Sequence, residues 1–189
     1  MDVIVDLIGS FIIRGAIVLI SLNLMIMMND SLLRSTEQSY MNEIIDAPAL
    51  TLTNDLRAAG YNNASKNFLI AQKQEVKFCS DIDNNFFPDT IHFYLSARDP
   101  VTHHQVLYRR INYKGGSLEI SRQVDTLNFT YFDEFGKKLD YRNNRDSVKS
   151  IFVQLRLESE NVITTVLSGS NDSLRLKSFW ENHIFPKNL

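Results

Sequence analysis

Residues 52–63 read LTNDLRAAGYNN: two leucines four apart, an arginine, a glycine and an asparagine-rich run. That is the pattern of a helix end. Arg57 falls in the last turn, where a cation suits the carbonyl end of the helix dipole, and Gly60 is the residue type that takes the left-handed conformation closing a helix. Gly60 is therefore read as the helix stop. Upstream, Leu32, Leu33, Tyr40, Ile44, Ile45, Leu52 and Leu56 are spaced to form an intermittent apolar stripe, which predicts an amphipathic helix over residues 29–60. Pro48 is expected to bend or break it.

Further upstream the polar face disappears. Residues 7–28 are 22 positions with one charge, Arg14, and at about 1.5 Å per residue they reach roughly 33 Å, the thickness of a bilayer's hydrocarbon core. Twelve of them are Leu, Ile, Val or Phe. At about −0.3 to −0.6 kcal/mol each, these outweigh the roughly +2.5 to +3.5 kcal/mol of one Arg. The segment 1–28 is thus read as a transmembrane anchor. A buried core helix and a removed secretory signal are the competing readings; the second lacks a basic region before the apolar run and an Ala-x-Ala-like site after it. Arg14 lies in the first half of the span and can snorkel toward the N-terminal side, which favours an inside N-terminus and an outside domain, while Asp2, Asp6 and Arg34 leave the charge rule itself undecided.

Downstream the period changes from helical to two. Ile91, Phe93, Leu95 and Ala97 share one parity; Leu118, Ile120 and Val124 share another; Leu127, Phe129 and Tyr131, and then Ile151, Val153, Leu155 and Leu157, continue the alternation. YKGGS at 113–117 and DEFGKK at 133–138 are turn signals, and DYRNNRDS at 140–147 is a polar loop. Strands that follow one another without intervening helices imply an antiparallel sheet. The expected fold class is α+β, with the sheet domain occupying residues 61–189.

Charge and motifs narrow the function. The net charge is −2, with seven acids against three bases in residues 1–60 and fifteen acids against seventeen bases in the rest; no nucleic-acid partner is expected from that balance. One cysteine, Cys79, excludes an intrachain disulfide framework. No phosphate-binding glycine loop, Gly-x-Ser-x-Gly elbow, His-Glu-x-x-His or Cys-x-x-Cys occurs, so no cofactor and no enzymatic activity are expected. Asp81, Asp83 and Asn85 copy the first three ligand positions of a calcium loop, but Phe86 stands where the loop needs glycine and His92 where it needs the closing glutamate. The reading is a solvated loop, with a calcium site as the competing candidate. His103 and His104 are read as a surface loop, and SGSNDS at 168–173 as a turn. Arg109, Arg110 and Arg122 are read as charges on the wet face of the sheet, and Phe179, Trp180 and Phe185 as packing aromatics.

The order of parts resembles the type IV pilin and type II secretion pseudopilin superfamily, nearest to its minor, J- or W-like members. Four features carry the resemblance: the apolar helix running into a polar half; NDLRAAGYN at its end; VLYRRINYKGGSLEI followed by VDTLNFTYFDEFGKKLD and VKSIFVQLRLES; and the terminal IFPKNL. The prepilin cleavage motif is not intact, since cutting after Gly9 puts Arg14 at the fifth mature position and cutting after Gly15 puts Ile20 there. The resemblance implies a helix that waits in the inner membrane and packs with other pilin-like subunits in a hetero-oligomer or filament, its sheet domain in the periplasm or outside the cell. The residues of the span expected to serve that assembly are Asp6, Arg14, Gly15 and Asn23. Small and polar groups permit close helix approach, and an intramembrane Arg is either snorkelled to the interface or paired with an acid of a neighbour. The alternative function is a membrane-tethered extracytoplasmic module that binds a polymer or peptide through its loops.

Overall fold

The computed structural model describes residues 2–63, 67–112, 117–140, 145–164 and 173–189. Among the described residues one α-helix, α1 (Asp2–Arg57), is followed by seven strands, β1 (Phe68–Ala71), β2 (Glu75–Ser80), β3 (Asp89–Leu95), β4 (Gln105–Ile111), β5 (Ser117–Phe132), β6 (Ser150–Thr164) and β7 (Ser173–Ile184), with a single 3-10 turn (Arg145–Ser147) between β5 and β6. The strands form one sheet in sequence order, every neighbouring pair antiparallel. The architecture is α+β, as the change of period implies.

The helix does not break at Pro48. Proline removes one backbone bond and crowds the preceding turn, a cost of about 3 kcal/mol in a helix interior. Burial on both sides of it offsets that cost: Met41, Ile45, Ala49, Leu52 and Leu56, spaced four, four, three and four, form the stripe that meets the sheet, and Pro48 is itself buried. No residue from Asp6 to Tyr40 is buried, so the packed part of α1 begins later than residue 29. Leu32, Leu33 and Tyr40, expected in the stripe, are exposed.

Polar contacts trace the path of the helix across the sheet. Ser159 on β6 donates to Glu37 at 2.5 Å and Ser178 on β7 to Asn42 at 3.2 Å. Arg109 on β4 reaches Asp55, and Ser80 on β2 donates to the Ala58 carbonyl at 2.7 Å. The sheet also rolls on itself. The Phe129 amide of β5 donates to the Lys73 carbonyl in the β1–β2 turn at 2.7 Å, and the buried Tyr131 hydroxyl donates to the Gln72 carbonyl at 2.9 Å.

β5 reconciles two parities in one strand. Val124 pairs with Leu157 and Thr126 with Arg156, so Asp125 is an extra residue in the ladder. Such a bulge moves the inward set from even to odd positions, and Val124 is buried alongside Leu127, Phe129 and Tyr131. The turn at 133–138 forms as expected: Asp133 accepts the amides of Phe135 and Lys137 at 3.0 and 2.8 Å, and Gly136 takes φ +74°. Of the expected turns at 113–117 and 168–173, all but the last residue of each lie outside the described residues, as do residues 141–144 of the loop at 140–147; its residues Arg145–Ser147 form a 3-10 turn.

Candidate functional site

The exposed half of α1 is the first candidate. The segment from Asp6 onward is long and apolar enough to cross a membrane, and none of its most apolar window is buried. Phe11 is 81% exposed and Met25 71%. Soluble monomers rarely expose contiguous apolar patches beyond a few hundred Å², so this surface calls for lipid or other helices. Its composition, not its fold, decides that.

Asp6, Arg14, Gly15 and Asn23 all lie on this exposed part, and nothing lies within 4 Å of a Cβ built at Gly15. They do not share one face. At about 100° per residue, Asn23 points roughly 180° away from Arg14, while Asp6 lies about 80° from Arg14 and two turns below it. Arg14 and Asn23 therefore project from opposite sides of the helix.

Gly60 takes φ +82°. A Cβ there would lie 2.8 Å from the Asn188 carbonyl oxygen, 3.1 Å from Leu189 and 3.2 Å from Asn67. The Gly60 amide donates to Cys79 at 2.9 Å and the Lys187 amide to the Arg57 carbonyl at 3.2 Å. The helix stop is thus also the seat of the chain's last residues.

The carboxylates of Asp81, Asp83 and Asp89 have oxygens within 4.8 Å of one another. Asp89, absent from the sequence motif, takes the third place. Asn85 instead donates from its side chain to Asp83 at 2.7 Å and accepts the Phe87 amide at 2.8 Å. Asp81 is held below the usual carboxylate range, chiefly by the Asn62 side chain and then by the amides of Phe86 and Asn85, with desolvation opposing. These bonds brace the loop.

Three expectations are corrected. Arg109 is not on the wet face: it shares the parity of buried Leu107 and grips Asp55 through Nε at 2.5 Å and Nη2 at 3.1 Å. His104 is buried, 3.4 Å from Glu158, while His103 turns outward at φ +60°. Phe179 and Phe185 are exposed, and of the three C-terminal aromatics only Trp180 packs against the core. A charge at core parity was the available signal for Arg109.

An open groove of about 500 Å³ lies beside the β1–β2 turn, lined in part by Gln72, Gln74, Glu75, Tyr94 and Gln105. Glu75 is bonded to His92 at 2.7 Å. The Ser96 hydroxyl at its rim donates to the Ala97 carbonyl and accepts the Val106 amide. The groove offers hydrogen bonds to a polar ligand; its serine is not presented to a base. No protein-family model matches the chain, and no curated protein matches it.

Proposed function

We propose that this chain is a non-enzymatic, pilin-like, membrane-anchored subunit or assembly factor of a bacterial type II secretion or type IV pilus-like machine. The observation that carries the reading is a single helix with two surroundings: exposed and apolar over residues 7–28, cradled by an antiparallel sheet from Met41 on. The bare half stands in the inner membrane, the sheet domain lies in the periplasm or outside, and partner helices pack against the span. Asn23 and Arg14 facing opposite ways supports several neighbours rather than one. The open groove beside Tyr94 favours a second reading, a tethered module that binds a polymer or peptide.

Quantitative crosslinking in the native membrane separates them. Gly15→Leu and Asn23→Leu are expected to weaken association without unfolding the sheet domain, because close approach and buried polar pairs hold membrane helices together. Arg14→Leu is expected to improve insertion of the lone chain yet impair incorporation, if a neighbour's acid pairs with it. Equal crosslinking of all variants and the wild type would reject helix-mediated assembly in favour of the tethered module.

A further inference from the structure

Two features flank the turn at 58–62, at the end of α1 remote from its apolar half. One is the loop between β2 and β3. Asp81 accepts the amides of Asn85 and Phe86 at 3.1 and 3.0 Å and the Asn62 side chain at 3.0 Å, and Asp89 accepts the Ile82 amide at 3.3 Å. This bracing holds Phe86 at φ +67°, a conformation that a bulky residue adopts only when its surroundings impose it. The outcome is two adjacent rings in water, Phe86 at 82% and Phe87 at 75% exposure. The other feature is an open groove of about 460 Å³ beside the end of α1, lined in part by Arg57, Tyr61, Phe185 and Lys187. The Asp81 amide donates to the Tyr61 carbonyl at 3.0 Å, so knob and groove adjoin.

Their chemistries match. The knob's loop carries two rings and exposed Asp83, whereas the groove offers two aromatic walls and two cations. With residues 7–28 in a bilayer, the 29 residues that follow Met28 to the end of α1 lift this tip about 43 Å above it, beyond the reach of that lipid surface. We propose that the tip is a self-docking surface: Phe86 and Phe87 of one copy enter the groove of a second copy, whose own knob fills the first. A two-fold contact needs both complementary parts on one patch, and their adjacency at Tyr61 supplies this. Each ring can bury on the order of 150–200 Å². Four rings and the walls they cover reach roughly 1,300 Å², the low end of specific interfaces. The contact is therefore weak and reversible, with aromatic anchors at its centre and the charges of Asp83, Arg57 and Lys187 setting its register.

The test places a benzophenone amino acid at position 87 of the full chain, purified in detergent at tens of micromolar, and maps the photocrosslinks by mass spectrometry. The expected product is a dimer joined from position 87 to residues 54–61 or 184–188. Phe86→Asn, which suits the left-handed backbone and keeps the loop folded, is expected to cut the yield about tenfold or more. Asp83→Lys is expected to lower the yield, and adding Lys187→Asp to restore it. Junctions elsewhere, crosslinks to detergent alone, indifference to Phe86→Asn, or no rescue by the charge swap would overturn the proposal. Helix crosslinks within residues 7–28 are read separately, so loss of the tip contact is distinct from loss of membrane assembly.

Discussion

Gly60→Val is expected to destabilise the sheet domain by about 2–4 kcal/mol. Two causes act together. The left-handed backbone at φ +82° costs an L-residue about 1–2 kcal/mol, and more when the side chain is β-branched. The new Cβ would also press the Asn188 carbonyl oxygen at 2.8 Å, a contact relieved only by moving the C-terminal segment off the helix end. Gly60→Asn separates the causes. Asparagine tolerates the backbone conformation but carries the same Cβ, so its cost should fall below that of valine and remain above zero. Urea unfolding of the full chain in detergent, followed by the near-ultraviolet signal of Trp180, measures both. An unchanged midpoint for Gly60→Val would contradict the stop and its seat together.

Asp55→Ala is expected to cost about 2–3 kcal/mol, a large loss for one side chain on a helix. Asp55 and Arg109 are only 14% and 16% exposed, and the pair is bidentate. Removing one partner leaves the other charge largely out of water, which is why breaking a fully buried pair costs about 3–5 kcal/mol; the remaining exposure lowers the figure here. Replacing both, as Asp55→Leu with Arg109→Met, should return the protein to within about 1 kcal/mol of the wild type. The double-mutant cycle reads the coupling between helix and sheet directly. If the two single substitutions proved neutral, the pair would not be fastening α1 to β4.

Much of this was legible because it is local. The apolar run at 7–28, the helix stop at Gly60 and the alternation of strands each follow from a few consecutive residues. What escaped depends on distant ones. Whether Arg109 faces water or core turns on Asp55, 54 residues earlier in the chain. Pro48 survives within the helix because residues on β5, β6 and β7 pack the stripe on either side of it. The parity change in β5 comes from the bulge at Asp125, whose carboxylate accepts Arg156 of β6 at 2.7 Å. In the acidic loop the sequence motif supplied Asp81 and Asp83, while Asp89 entered only because β3 returns beside the end of β2.

The central claim is that residues 1–28 hold the chain in a membrane and carry its association, while the rest folds without them. It is tested most directly by comparing the full chain with residues 29–189, since every described core residue lies at Met41 or beyond. The two should unfold alike in urea. The full chain should stay in the membrane pellet through alkaline carbonate extraction and crosslink to neighbouring helices, and the shortened chain should be released and lose those crosslinks. A full chain released by carbonate, or a shortened chain that still crosslinks at the full yield, would contradict the account.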